Sequence, residues 1–290
     1  MARGDGASNG GVVSTHPRLR PGTVRLLWEM VASLSVSSSV RASAVPALPA
    51  GRPVMRQRWC DLLFLHWEVP VDSILRTLPA GLEPDTFGGR AFLGIVPFRM
   101  ERVRPAFLPA LPGISDFPEL NLRTYVRDRA GVPGVWFYSL DAGGRLAVAI
   151  ARTFFHLPYH TARMEMRRGN TSDSISFKSR RRASEEESRF EWSRGAALPA
   201  PAEGSLEHFL VERYRLYAAG SGRLFCGAVS HPPYALRRAA VTGCSETLFS
   251  AAGFISPGRE PDHAVCSDGV DVEVFPLEKI ERVTTRSAVP

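Results

Sequence analysis

The sequence predicts an α+β domain in which strands predominate and helices are few. Many segments alternate apolar and polar residues and are bounded by glycine or proline, which is typical of half-buried strands. Helical patterns are confined to short stretches after Pro70, Gly144 and Gly204, where apolar residues recur on one face. No internal repeat is present, so no repeat architecture is predicted.

The domain boundaries follow from composition. Of the 290 residues, 44% are hydrophobic, which suffices to bury a core. Residues 1–54 are rich in Gly, Ser, Ala, Pro and Arg, and we interpret them as a disordered or misassigned N-terminal extension, with a targeting peptide as the alternative. We expect one domain over residues 55–280 and a tail over 281–290.

Charge and cysteine usage restrict the class of protein. The net charge is +7, but the basic residues are almost all scattered arginines, so nucleic-acid binding is not predicted. The four cysteines form no CxxC pair, which favours free thiols and a cytoplasmic protein over a disulfide scaffold. No apolar run reaches the roughly 20 residues of a membrane helix, so no membrane partner is expected.

The first elements alternate clearly. Trp59–Val69 is predicted to be a strand in which His66 and Glu68 share a face. Val71–Leu78 is predicted to be a helix capped by Asp72, and Ala91–Met100 to be the next strand. The apolar loop of residues 105–118 is expected to fold over the core, or over the mouth of a pocket.

The strand Glu119–Arg127 is the most informative segment. Its apolar face comprises Leu120, Leu122, Thr124 and Val126, and its polar face comprises Glu119, Asn121, Arg123, Tyr125 and Arg127. Two interpretations stand equal. The polar face is either solvated, as is common in antiparallel sheets, or directed into a cavity inside a barrel, where it would grip a small polar ligand.

Residues 134–166 form the central unit. A strand Val135–Leu140, a turn at 141–144, a helix at about 146–153, a loop at 156–160 and a strand Thr161–Arg168 are predicted. Pro158 separates His156 from His160, so the helix that an HxxxH metal site needs is not expected. We predict no metal and no cofactor.

The C-terminal half is predicted from similar patterns. Thr161–Arg168 and Ser174–Arg180 should form a hairpin, and Phe190 and Trp192 indicate a further strand. Ser205 should cap a helix reaching Tyr217. Strands are expected at 224–230 and 270–275, with a frayed tail from Ile280.

Several sequence blocks resemble one bacterial family. The blocks MRQRW, LLFLHW, LPAGLEPDTFGGRAFLGIVPFRM, FPELNLRTYV, GVWFYSLDA, LPYHTARM, SLEHFLVERYRLY, HPPYALRRA and VDVEVFP follow the order found in the YqjF-like proteins, a family of unknown function. The resemblance covers about residues 55–278. It implies a fold similar to acetoacetate decarboxylase, an antiparallel β barrel with peripheral helices around a cavity.

The likeness to the decarboxylase also implies site residues. Glu119 lies where the active-site glutamate of that family would be, and Ser139-Leu140-Asp141 matches its Tyr-Leu-Asp turn. Tyr159 and His160 replace the two adjacent lysines of that family. Neither side chain forms an imine, so the resemblance does not carry Schiff-base chemistry over to this chain.

Two functions remain open from the sequence. The first is an enzyme for a small carbonyl or carboxylate compound, working by proton transfer or hydrolysis, with Glu119, Tyr159 and His160 as catalytic candidates. The second is a non-catalytic small-molecule binding protein. In either case Arg123 would pair with a carboxylate, and the other ligand-binding candidates are Asn121, His66 and Tyr138. A homo-oligomer is a further expectation.

Overall fold

The architecture is that of a computed structural model, which describes residues 51–110, 115–144, 156–169 and 173–282. Its strands are β1 Met55–Val69, β2 Leu82–Pro84, β3 Ala91–Pro105, β4 Phe117–Asp128, β5 Pro133–Ala142, β6 Tyr159–Arg168, β7 Ser174–Arg181, β8 Ser188–Ala197, β9 Arg215–Gly220, β10 Arg223–Ser230, β11 Leu236–Ser245, β12 His263–Val274 and β13 Glu278–Arg282. The helices of these residues are α1 Val71–Leu75, α2 Leu206–Val211 and α3 Leu248–Ala251. None of these described helices is long and apolar enough to span a bilayer.

The strands close into a barrel. The ring runs β5-β6-β7-β8-β11-β12-β1-β3-β4, and the antiparallel pairing of β4 with β5 completes it. The hairpin β9–β10 joins β5 on one side and the end of β12 on the other. The α+β class and the decarboxylase-like barrel predicted from the sequence are therefore confirmed.

Both faces of β4 are buried. Leu120, Leu122 and Val126 pack into a cluster with Leu63 and Leu65 of β1. The opposite face packs against a second cluster that includes Phe64, Phe92, Leu210, Tyr159 and Tyr234. The alternation predicted for β4 is present, but the interpretation of its polar face as a solvated surface is wrong.

A tight contact between β1 and β12 depends on a glycine. Gly269 has φ +138°, and a Cβ at this position would lie 2.2 Å from the Trp59 carbonyl oxygen. The carbonyl belongs to the backbone of a central strand and has little freedom to shift.

We expect Gly269→Ala to lower the free energy of unfolding by about 3 kcal/mol or more, because it combines backbone strain with overpacking. Gly258→Ala is the matched control, since Gly258 also has positive φ but no atom within 4 Å of its added Cβ. The control should lose only about 1 kcal/mol. Chemical denaturation of both variants measures the difference, and equal losses would contradict the steric argument.

The N-terminal elements differ from expectation in detail. The helix after Pro70 ends at Leu75, four residues after it begins, and Asp72 lies inside its first turn and makes no cap. Strand β1 begins at Met55 and not at Trp59, and β3 extends to Pro105. The short strand β2, which pairs with the end of β4, was not predicted.

The loop of residues 105–118 does not cover the core as predicted, as far as its described part shows. Phe107 and Leu108 are exposed, at 45% and 36% of their accessible surface, whereas Phe117 is buried at the start of β4. Residues 111–114 lie outside the described chain.

The central unit is shifted toward strand. Strand β5 continues through Asp141 to Ala142, where a turn was expected. Strand β6 begins at Tyr159, so Tyr159 and His160 lie on a strand, parallel to β5, and not in a loop. The predicted helix at 146–153 lies outside the described residues.

The C-terminal half contains both confirmed and corrected elements. Strand β6 pairs with β7 as predicted, and the Ser205 hydroxyl accepts a hydrogen bond from the His208 N–H at 3.2 Å. The helix that begins there ends at Val211 and does not reach Tyr217, which lies in strand β9, Arg215–Gly220. Strand β11 was missed. Strand β13 pairs with β10 as far as Arg282, so residues 281–282 belong to the sheet and are not a frayed tail.

Candidate functional site

A row of polar side chains lies on one face of β4. This face, called the inner face below, is the one that α2, the hairpin β9–β10 and the corner after β10 cover, and it lies outside the nine-strand ring. Glu119, Asn121 and Arg123 alternate along the strand and expose only 2%, 5% and 9% of their surface. Successive members are about 6.6 Å apart along the strand, so the row spans about 13 Å. The Asn121 side-chain oxygen, in the middle of the row, has no hydrogen-bond partner among the described residues. Buried polar atoms nearly always have partners, so this row is a candidate ligand site.

One end of the row is a carboxyl–phenol pair. The Tyr159 hydroxyl donates a hydrogen bond to Glu119 Oε2 at 2.9 Å, and both side chains are buried. The pairing follows from register, because Asn121, Leu140 and Tyr159 lie side by side on β4, β5 and β6. Tyr159 therefore lies on the same inner face of the sheet as Glu119.

The Glu119 carboxyl is held in its neutral form near neutral pH. Burial, the largest influence, raises the pKa of Glu119 to about 8, and the charge of nearby Asp141 adds to this increase. The hydrogen bond from Tyr159 acts in the opposite direction but is outweighed. Burial and the adjacent Glu119 also raise the pKa of Tyr159 well above its usual value, so the phenol keeps its proton.

The other end of the row is a buried guanidinium. The Arg123 side chain lies over the rings of Phe64 and Tyr125, with its central carbon 5.6 and 5.8 Å from the ring centroids. Arg123 Nη2 donates to the Leu210 carbonyl at 3.1 Å, but Nε has no partner among the residues that the structure describes. Within the described part of the chain no carboxylate forms an ion pair with Arg123. A buried cation without a described counter-ion makes Arg123 a candidate for binding an anionic ligand.

His66 extends the row across the sheet. His66, Gly94 and Arg123 are in register on β1, β3 and β4. A Cβ on Gly94 would lie 3.0 Å from His66 Cδ2 and 3.4 Å from Arg123 Cγ, so the glycine makes room for both side chains. His66 Nδ1 lies 2.9 Å from His263 Nδ1, and His66 Nε2 has no described partner. Burial, followed by the charges of His263 and Arg123, lowers the pKa of His66 well below its usual value, so the ring is neutral.

Two of the predicted site residues point elsewhere. His160 is in register with Asp141, so it lies on the face of the sheet opposite Tyr159. Asp141 in turn accepts hydrogen bonds from Arg181 Nε at 2.9 and 3.0 Å. The Tyr138 side chain packs with the cluster on the other face of β4, and its hydroxyl lies 2.6 Å from Thr77 Oγ1. The structure thus groups Glu119, Asn121, Arg123, Tyr159 and His66 and separates His160 and Tyr138 from them.

Residues distant in sequence complete the surroundings of Arg123. Tyr125 donates to the Leu210 carbonyl at 2.7 Å, and the Tyr234 ring packs edge-on against Phe64 at 5.1 Å. His231 packs against Tyr234 at 4.8 Å. Tyr125 was visible on the polar face of β4. Nothing in the sequence pattern could place the His231-Pro232-Pro233-Tyr234 corner beside a strand a hundred residues earlier.

Neither a lysine nor a metal cluster supplements this row. Lys178 lies exposed on β7 and Lys279 exposed on β13. Among the described residues, no three His, Cys, Asp or Glu side chains are grouped so that they could hold a metal ion.

Related sequences and similar folds occur in known proteins. Residues 56–271 match DUF2071, a family of uncharacterised conserved proteins. The chain belongs to the DUF2071 family. The uncharacterised protein YqjF of Bacillus subtilis (strain 168) is 43% identical over 217 residues, which are 74% of this chain and 88% of YqjF. The resemblance to YqjF-like proteins predicted from the sequence is confirmed.

Solved structures similar to this DUF2071 chain have decarboxylase-like folds. The enduracididine biosynthesis enzyme MppR, complexed with pyruvate, superposes with a TM-score of 0.58 at 12% identity over 85% of this chain and all of its own. An acetoacetate decarboxylase-like enzyme from Sphingomonas wittichii RW1 gives 0.55 at 13% identity over 83% of this chain and all of its own. Acetoacetate decarboxylase from Legionella pneumophila gives 0.55 at 13% identity, covering 85% of this chain and 99% of its own. At these identities the likeness concerns the fold alone.

Proposed function

We propose that this DUF2071 chain binds a small carboxylate compound with a carbonyl group and catalyses proton transfer on it. The observation that carries the proposal is Arg123, a buried guanidinium that no described carboxylate neutralises and whose Nε has no described partner. A ligand carboxylate would supply the missing charge and the missing hydrogen-bond acceptor. The MppR structure, in which the related fold holds pyruvate, supports a small keto acid as the ligand class.

Glu119 is the group proposed to move the proton. A carboxyl with a pKa of about 8 exchanges protons easily near neutral pH, which suits a general acid or base. A keto acid whose carboxylate lies on Arg123 would extend past Asn121 toward Glu119. The ionised Glu119 would take a proton from the carbon next to the carbonyl. The electrons of the broken C–H bond would form an enolate, and the Tyr159 hydroxyl would then switch its donation from Glu119, which now carries the proton, to the enolate oxygen.

Schiff-base chemistry has no support in this chain. Both lysines are exposed and lie away from the inner face of β4. The position that resembles the first lysine of the decarboxylases is occupied by Tyr159, whose hydroxyl is hydrogen-bonded to Glu119. The proposed reaction therefore leaves the carbonyl oxygen in place throughout.

A non-catalytic binding protein is the second candidate. It is favoured by His160, whose side chain lies on the face of the sheet opposite Tyr159, so the row contains no histidine that titrates near neutrality. In this case Arg123 and Asn121 would bind the same carboxylate class, and Glu119 would only donate or accept a hydrogen bond.

Exchange of the pyruvate methyl protons in D2O, followed by proton NMR, separates the two candidates. We expect wild type to speed the exchange, and the rate to rise with pH up to about 8 and then level as Glu119 becomes ionised. Glu119→Gln should reduce the rate about 100-fold or more. His160→Ala is the control, since its side chain faces away, and should keep most of the rate. If pyruvate binds but its protons are not exchanged faster, the non-catalytic binding protein is the candidate that remains.

The cytoplasmic location, the homo-oligomer and the assignment of residues 55–280 to a single domain remain predictions, and strand β13 extends the sheet to Arg282. Sedimentation of the full chain measures the oligomeric state.

A further inference from the structure

A basic cleft borders the corner after β10 and shares His231 with the surroundings of Arg123. It has a volume of about 540 Å³ and lies where the ends of β1, β3 and β12 meet the corner after β10. Its charged and imidazole side chains are Arg56, Arg102, Arg104, Asp271, Glu273 and His231. The cleft thus carries three guanidinium groups against two carboxylates.

Two of the three arginines in the cleft form ion pairs, and the third has no carboxylate partner among the described residues. Arg56 pairs with Glu273 at 3.0 Å, and Arg102 pairs with Asp271 at 2.7 Å. Arg104 is directly opposite Arg56 in the register of β1 and β3. Its guanidinium donates to the Leu108 carbonyl at 3.3 Å and forms no ion pair within the described chain. Like charges opposite each other destabilise a sheet, and an anion between them would remove the repulsion.

The backbone of β3 is bent at the cleft. Arg102 has φ +54°, in the left-handed region that residues other than glycine rarely adopt. The strand carries an irregularity there, because Arg56 pairs with Arg104 while Arg58 pairs with Glu101. Asp116 accepts a hydrogen bond from the Arg102 N–H at 2.7 Å and holds the bend in place. Such bulges redirect side chains and are common beside binding sites.

His231 adds a buried acceptor to the lining. It is more than nine-tenths buried, and its ring stacks on Tyr214 with centroids 4.6 Å apart. Its Nδ1 lies 2.9 Å from the Pro232 carbonyl and must donate to that oxygen, since a carbonyl only accepts. In the neutral ring Nε2 is then an acceptor, and it is itself buried without a partner among the described residues. Burial lowers the pKa of His231, which favours the neutral ring.

We propose that this cleft binds a small oxyanion that also carries an O–H group, such as hydrogen phosphate or a hydroxycarboxylate. The oxyanion lies on Arg104, with Arg56 and Arg102 beside it, and the O–H group donates to His231 Nε2. Arg104 supplies the uncompensated charge, and His231 supplies the preference for a ligand that keeps a proton.

Isothermal titration calorimetry of the full chain in a Tris-chloride buffer tests the proposal with two matched pairs of probes. Inorganic phosphate is compared with sulfate, and malate is compared with succinate. The first member of each pair has the O–H group that the second lacks. We expect saturable binding of phosphate, malate or both, at least tenfold tighter than the matched probe. A preference within the phosphate pair would identify phosphate as the oxyanion, and a preference within the malate pair would identify a hydroxycarboxylate.

Three variants locate the binding. Arg104→Gln should weaken it at least tenfold, and His231→Phe, which keeps the ring stack, should abolish the preference within each pair. Arg90→Gln is the control, because Arg90 lies just before the other end of β3 and pairs with Glu68, outside the lining of the cleft. Arg123→Met should leave the cleft affinity unchanged. No saturable binding up to about 10 mM, equal affinities within both pairs, or wild-type affinity in Arg104→Gln would overturn the proposal. Loss of binding in Arg123→Met alone would assign the anion to the inner row instead.

Discussion

Replacing Glu119 by glutamine is expected to stabilise the protein increasingly as the pH rises. In the folded protein the pKa of Glu119 is about 8, whereas in the unfolded chain it is near 4.5. Below pH 4.5 the Glu119 carboxyl is protonated in both the folded and the unfolded state, so its ionisation does not lower the free energy of unfolding. Between these values the unfolded chain loses the proton while the folded protein keeps it. The wild type then loses about 1.4 kcal/mol per pH unit.

The Glu119→Gln variant has no such slope, because its amide does not titrate. Glutamine also keeps an oxygen that accepts from Tyr159. The difference in unfolding free energy between variant and wild type should therefore grow by on the order of 3 kcal/mol between about pH 5 and pH 8. Urea denaturation at several pH values measures it. Tyr159→Phe is the control that keeps the carboxyl and the slope. A difference that stays constant with pH would contradict a raised Glu119 pKa.

Two buried arginines beside Tyr125 should respond oppositely to the same substitution. Arg123 has no carboxylate partner in the described chain, and the Leu210 carbonyl that it contacts also accepts from Tyr125. Arg123→Met removes an uncompensated buried charge and leaves that carbonyl satisfied. We expect the free energy of unfolding to stay within about 1 kcal/mol of wild type, or to rise.

Arg213 is the matched contrast. Its guanidinium donates to Asp85 at 2.7 Å and lies 4.2 Å from the Phe209 centroid. Arg213→Met leaves the buried Asp85 with the half-exposed Arg127 as its remaining ion-pair partner among the described residues, so we expect a loss of about 3 kcal/mol. Thermal and urea unfolding of both variants compare the two. An equally large loss for Arg123→Met would mean that Arg123 serves the fold and is not reserved for a ligand.

The sequence predicted the parts of the site that depend on alternation within one strand. The period of two along β4 placed Glu119, Asn121 and Arg123 on one face. It could not decide between solvent and interior, because that depends on what packs against the face. The packing partners are α2 and the corner after β10, which the chain reaches about 90 to 110 residues later.

The boundaries of strands account for the remaining errors. Reading Tyr159 and His160 as one loop made them equivalent candidates, but as neighbours on β6 they face opposite sides of the sheet. Likewise, the apolar spacing from Leu206 to Tyr217 fits one helix, yet only the first part is helical. Tyr217 instead pairs with Trp136 of β5, and a local pattern contains no information on such pairing.

The central claim is that Arg123 on the inner face of β4 holds the carboxylate of a small keto acid. Calorimetric titration of pyruvate into wild type and Arg123→Met tests it most directly, since the variant is expected to remain folded. We expect saturable binding to wild type and an affinity at least tenfold weaker in the variant. Equal affinity in both proteins, or no binding to either, would contradict the claim.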